Sequence, residues 1–308
     1  GTYIHQHSDA GHFALAAGGE LFAAGRDYGH TLACYHNVLR INGQEPPDAP
    51  NHANGQSWRG GSLLASGHGQ HSHYVAADLA WQWACCWYHR HFLVLRFPGT
   101  TPYLVLLDHA NLANDWASYD WQLQIQAGLR TELDQEAGRA RLLGQKQNLE
   151  LAWATFDSGE FPKPAQLDLS LIEHPHVYEG NRGNPHHQKV RHPCLVARLS
   201  AYSGELLAAL VPRSPMATPL TIQRHHAPRQ MGLEIDHGDY RDVILASPLT
   251  RRLALAGVTA EASLLAIRYD RQGAVVALSA ADCFSVAVGG QTFLRGTGEC
   301  HALFEWRR

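Results

Sequence analysis

The sequence is short of charge. Asp, Glu, Lys and Arg make up 17% of its 308 residues, against 45% apolar ones. That balance excludes a disordered chain, which has the reverse. Positive charge is not in excess either. The formal net charge is −3, so no nucleic-acid partner held by phosphate neutralisation is expected. Long hydrophobic runs are missing: none approaches the ~18 residues of a spanning helix. The most apolar stretches, such as 203–212, are strand-sized, and no membrane partner is expected. There is no CxxC among the six cysteines, and the adjacent Cys85 and Cys86 do not easily pair with each other. This excludes a zinc ribbon and a disulfide scaffold and leaves buried thiols. Sustained helical periodicity is scarce and βαβ alternation is absent, so a doubly wound parallel fold is not expected. The chain opens GTYIHQH, without an initiator Met or a signal peptide. With a chemically loaded motif already at residue 5, it reads as a fragment or processed form of a longer protein.

What is present is β texture. Short apolar or alternating runs recur at 13–17, 38–41, 72–76, 81–88, 91–97, 103–108, 119–125, 141–143, 150–156, 195–201 and 206–211. They continue at 232–235, 242–246, 264–269, 274–279, 285–288 and 301–306, with Gly, Pro, Asn and Asp between them. Strands at this spacing predict an all-β protein of antiparallel sandwiched sheets. The expected architecture is a large β-sandwich, or super-sandwich, followed by a smaller β-sandwich. The composition break at PRSPMATP (212–219) places the division at residues 1–215 and 216–308. Two polar stretches, 44–61 and 173–192, read as long loops of the kind that carry function on a β scaffold. The segment TELDQEAGRAR (131–141) has a helix-like charge mix interrupted by Gly138, and fits a helix or a hairpin equally.

Histidine is abundant, at 21 residues. It recurs in HxH pairs: His5/His7, His71/His73 and His89/His91. On a strand, residues i and i+2 share a face. If HQHSDAGHF (5–13) is a strand, His5, His7 and Asp9 converge, and two imidazoles with a carboxylate suit zinc. Imidazole is also suited to proton transfer near neutral pH. The competing interpretation is a polar strand edge with satisfied histidines. A cupin is excluded, because no Glu follows His7 until Glu20.

Downstream of HxHxDAGHF come Asp27–Gly29 and HNVLRINGQ (36–44). After them come HYVAADLAWQW (73–83), RHFLVLRF (90–97), YLVLLDHANLA (103–113), YDWQLQ (119–124) and ARLSAYSGELLAALVPR (197–213). In this order they resemble the C-terminal β domain of heparinase II/III-like polysaccharide lyases. The resemblance is specific in the first segment and the His-Asn pair, and loose after residue 215. It implies a β domain that works with an N-terminal α/α toroid, which this chain lacks. It implies β-elimination on uronate-containing acidic glycans. A base takes the C5 proton, an acid protonates the leaving oxygen, and the developing anion is stabilised.

By the same resemblance His5 is the active-site histidine. His7 and His36 are ligands of a structural zinc. The third ligand, an Asp in the family, falls on Ala24 or Gly25 in LFAAGRDYG, so either a displaced Asp27 takes the role or the metal is weakened or absent. His12 and Arg40 are expected at the substrate, Asp9 as an orienting acceptor or a turn cap, and Asn37 as a support for His36. Arg59 and Arg182 are loop cations that could meet sulfate. Trp81, Trp83 and Trp87 share a face at period 2 and read as core, with sugar stacking as the second option. The expected partners are an acidic polysaccharide or oligosaccharide, the missing α/α domain and, in a homodimer, a second copy. The expected compartment is the periplasm or the outside of the cell, with the cytoplasm as alternative. A non-catalytic carbohydrate-binding or structural sandwich is the competing function, and without the toroid the isolated chain is expected to be nearly inactive.

Overall fold

The computed structural model describes residues 8–25, 32–47, 60–113, 115–156, 165–179, 188–227, 230–247, 250–295 and 300–308. Strands dominate: β1 (Leu15–Ala17), β2 (Glu20–Ala23), β3 (Leu39–Ile41), β4 (Ser62–His68), β5 (Ser72–Asp78), β6 (Trp87–Leu95) and β7 (Tyr103–Asn111). Then come β8 (Ala117–Gln124), β9 (Arg130–Asp134), β10 (Arg139–Leu143), β11 (Asn148–Thr155), β12 (Gln166–Glu179), β13 (Gln188–Ala201) and β14 (Gly204–Arg213). The C-terminal part holds β15 (Thr221–Ala227), β16 (Gln230–Asp236), β17 (Tyr240–Ala246), β18 (Arg252–Leu255), β19 (Val258–Asp270), β20 (Val275–Val288), β21 (Gln291–Leu294) and β22 (His301–Arg307). Helix among the described residues is limited to a 3-10 turn at Ala33–Tyr35 and a single turn, α1 (Ala80–Trp83).

The strands make a stack of antiparallel sheets. The central sheet has the order β4-β5-β6-β7-β14-β11-β10-β9. One of its faces meets the sheet β12-β13-β8-β3, and the other meets a sheet built on β15-β16-β17-β19-β20-β21, with β18 and β22 alongside. Alternation along each strand decides which core a side chain enters. On β7, Leu104 and Leu106 join Trp121 and Leu123 of β8 in the first core, while Val105 and Leu107 join Leu233 and Ile244 in the second. Trp121 and Trp153 meet edge-on across the first core at 5.5 Å. Offset and edge contacts of this kind suit the ring quadrupoles. A third apolar cluster, including Leu265, Ile267, Phe304 and Trp306, lies on the far face of the C-terminal sheet.

Two polar devices join the C-terminal sheet to the central one. Arg268 makes two bonds to Asp242 (2.7 and 2.6 Å) and also donates to Pro98 O and Thr100 Oγ1. Tyr103 and His237 complete the shell of Asp242. At the other end Glu305 accepts from the backbone of Gln70 and His71 and from Ser72 Oγ.

Several expectations are corrected. Residues 81–88 are not one strand: Asp78 Oδ1 caps the Ala80 N–H at 2.9 Å, α1 follows, and Ala84 ends it in the left-handed region at φ 51°. Trp81 is therefore 65% exposed and Trp83 buried. The stretch 173–192 is not a loop in its described parts, because β12 and β13 run into it and pair, with a register shift between His174 and Val177. The two strands expected at 274–288 are a single strand, β20. Residues 131–141 resolve as the hairpin β9–β10, with Asp134 opposite Arg139. Of the six free thiols, Cys194 and Cys283 are buried but Cys86 and Cys300 are exposed.

Candidate functional site

His5, His7 and Asp27 lie outside the described residues, as do Arg59 and Arg182. Residues 8–13 of the first motif are described, and they are not a strand. The His12 N–H bonds Asp9 O at 2.8 Å, closing a turn, and β1 starts only at Leu15. Gly11 sits in that turn at φ +80°, and a Cβ there would lie 2.6 Å from Leu79 Cδ1. The backbone favours glycine there, and a side chain would also have to push Leu79 aside. Asp9 is exposed.

The turn at 9–12 and the His36-Asn37 pair are brought together. His12 Nδ1 accepts the Asn37 N–H at 2.9 Å, and the His12 and His36 rings meet edge-on at 5.4 Å. Asn37 is fully buried. Its Nδ2 donates to Phe13 O (2.6 Å), and its Oδ1 accepts the Gln124 N–H (2.6 Å). The expectation that Asn37 holds this backbone describes what it does. His36 is 2% exposed. A Cβ on Gly25 would stand 2.9 Å from His12 Nε2 and 3.3 Å from His36 Nδ1. A side chain at Gly25 would therefore meet both imidazoles.

Beneath this group lies a pair that sequence reasoning missed. Arg90 and Asp108 face each other across β6 and β7. Both are fully buried and joined by two bonds, of 2.7 and 2.9 Å. The guanidinium also donates to Gly11 O (2.8 Å) and Asn37 O (2.9 Å). One cation thereby fastens both segments of the site. Burial works against its charge, but Asp108 and Tyr88 outweigh this and raise the Arg90 pKa. The available signal was an Arg between two histidines in one strand and an Asp in the apolar run of the next.

Arg40, expected at the substrate, is turned onto its own loop. It bonds Gly43 O and Gln44 O and pairs with Glu45 at 3.2 Å. Glu45 in turn accepts the N–H groups of Ala33 and Cys34, holding the turn that leads to His36. Burial first, and Glu45 second, push the Cys34 thiol up to about 12.

Among the described residues no group of three or more His, Cys, Asp or Glu is placed to hold a metal ion. His71 is buried and His73 faces a different neighbour, His68. His89, His91 and His109 gather between the central and C-terminal sheets, with ring centroids 6.4–6.5 Å apart. His91 Nδ1 is bonded to Tyr74 OH, and His109 Nε2 accepts from Trp87 Nε1.

No family model matches the sequence, and no curated protein does. Solved structures do. Heparan sulfate lyase HepC from Pedobacter heparinus and a mutant of it superpose with TM-scores of 0.53 and 0.54, at 12% identity. Each covers 74% of this chain and 35% of the lyase. A heparinase III with methylated lysines gives a TM-score of 0.51 at 10% identity, over 87% of this chain and 37% of that one. The fold is shared with part of the heparan sulfate lyases. The chain spans just over a third of the length of these proteins, and at such identity the likeness is one of fold.

Proposed function

We propose that the chain is the β portion of a polysaccharide or oligosaccharide lyase that cleaves uronate-containing acidic glycans by β-elimination. One observation carries this reading. The described end of the first histidine motif and the His36-Asn37 pair, distant in sequence, are joined through His12, Asn37 and Arg90 on a fold like that of heparan sulfate lyases. His5 is then the active-site histidine, exchanging a proton with the sugar. His12 and Arg40 lie at the substrate. Arg40 serves there only if its pairing with Glu45 yields to a glycan carboxylate or sulfate. The α/α domain supplies the other half of the site. The division at 215 belongs to this reading, as does export to the substrate polymer.

A structural zinc on His7, His36 and Asp27 belongs to the proposal too. Of these, His36 is the one described: a buried imidazole, as a structural ligand should be, with glycine at position 25 beside it. Replacement of His7 by Ala should lower zinc content and thermal stability, and equal zinc in both proteins would remove the assignment.

The deciding experiment is the ultraviolet signal of unsaturated uronate over a panel of acidic glycans. It is run on this chain and on the same chain with an α/α domain of the family supplied in front. Signal only with the added domain, abolished by His5→Ala, is expected. Signal from the chain alone would show that the division of labour is wrong. Silence from both would favour the carbohydrate-binding sandwich.

A further inference from the structure

His68 and His73 stand directly opposite each other at the end of the β4–β5 hairpin. Their Nδ1 atoms are 2.9 Å apart, and their rings meet edge-on with centroids at 5.1 Å. His68 is exposed and His73 half-buried. With both rings neutral, one imidazole donates to the other. The same pair can chelate: a rotation of each ring turns both Nδ1 lone pairs toward a shared ion about 2.0 Å from each. Imidazole nitrogens suit Cu(II) and Ni(II), and among divalent first-row ions Cu(II) binds such donors most tightly. We infer that His68 and His73 form a surface chelate for Cu(II) or Ni(II), binding through both Nδ1 atoms with water in the remaining positions.

The hairpin is held in the shape the chelate needs. Its turn closes with the Gly69 N–H on Ser72 O at 2.9 Å. Glu305, from β22, accepts the N–H groups of Gln70 and His71 at 2.8 and 2.9 Å and the Ser72 hydroxyl at 2.5 Å. A Cβ on Gly69 would lie 2.2–2.4 Å from that carboxylate, so a side chain there would push Glu305 out of its place. A turn gripped in this way fixes the two strands below it, and pre-set donors lose less freedom when an ion binds. Charged neighbours act in both directions on His73: Arg96 opposes added positive charge and Glu305 favours it. When both Nδ1 atoms bind the ion, the proton between the rings moves to Nε2 of its own ring, and affinity falls as either imidazole takes up a second proton. Spacing in the sequence pairs His71 with His73. The fold buries His71 and supplies His68 from the adjacent strand instead.

The test is a titration of the chain with substoichiometric Cu(II), following the histidine ring signals by NMR. With 21 histidines in the chain, the order in which signals broaden is the readout. The His68 and His73 signals should vanish first. His68→Ala and His73→Ala, both at the surface, should each weaken the first site by roughly a hundredfold, the gain a second tethered donor gives. Gly69→Ala should weaken it by displacing Glu305, and Zn(II) should displace Cu(II) only in large excess. Early broadening at other histidines, or an unchanged first site in His73→Ala, would overturn the assignment.

Discussion

Strands β6 and β7 present two opposite faces with two different treatments of buried polar groups. On the face toward β8, Arg90 and Asp108 are charged, paired by two bonds and fully enclosed. On the face toward the C-terminal sheet, His89, His91 and His109 stand with Glu205 of β14, and none of them has a matched counter-charge at bonding distance. His109 and Glu205 approach only to 3.7 Å. Burial, with help from neighbouring histidines, pushes His109 down to about 3. Burial alone pushes Glu205 up to about 7, against the Ser203 hydroxyl. Residues one position apart on a strand are thus ionised or neutral according to whether geometry supplies a partner. The charged pair does the structural work for the candidate site, because Arg90 Nη1 donates to both Gly11 O and Asn37 O while Nε and Nη2 bond Asp108.

This contrast can be broken most severely at Asp108. Asp108→Ala leaves a buried guanidinium without its counter-ion and should cost about 3–5 kcal/mol in urea unfolding. The double change Arg90→Met with Asp108→Leu should cost clearly less than the single one. Equal losses would mean that the pair is ordinary packing. Next comes Asn37→Ala, which strands Phe13 O and the Gln124 N–H and should cost about 2–3 kcal/mol. Hydrogen exchange at Gln124 would locate the loss, and unchanged protection there would contradict it.

On the neutral face the effect should depend on pH. Glu205 has its folded pKa raised from 4.5 to about 7. Its contribution to stability is therefore complete below pH 4.5 and is lost as pH rises through 7. Glu205→Gln should stabilise the protein by about 2 kcal/mol at pH 8 and by almost nothing at pH 4. A gain independent of pH would refute the buried-acid reading. For His109 and His91, held down at about 3 and about 4 against 6.5 free, stability is complete above pH 6.5. It is lost as pH falls toward these values.

How much of this was legible follows from what each signal measures. Alternation and turn residues located most strands of the central sheet, because those strands are bounded by Gly, Asn and Asp. Periodicity failed at 81–88. Three tryptophans at period 2 imitate a strand, while the feature that decides the backbone there is a single cap, Asp78 on Ala80. Polarity failed at 173–192, since a long hairpin extended by paired backbone needs no apolar alternation. In the site, His36 and Asn37 were found through their motif. Arg90 was not, because its role depends on two carbonyls distant in sequence, Gly11 and Asn37, which only the fold brings to it.

The burial of β7 on both faces has one more consequence. All nine of its residues are buried, so neither parity of the strand is marked as inside or outside. Hydrophobicity alone would let it slide one place along its neighbour and still be satisfied. A shift by one place would carry Asp108 to the opposite side of the sheet and leave the Arg90 guanidinium facing hydrocarbon. Arg90 and Asp108 therefore act as alignment marks: in a strand that greases both of its sides, the one pair that cannot tolerate sliding fixes the register in which the sheet assembles.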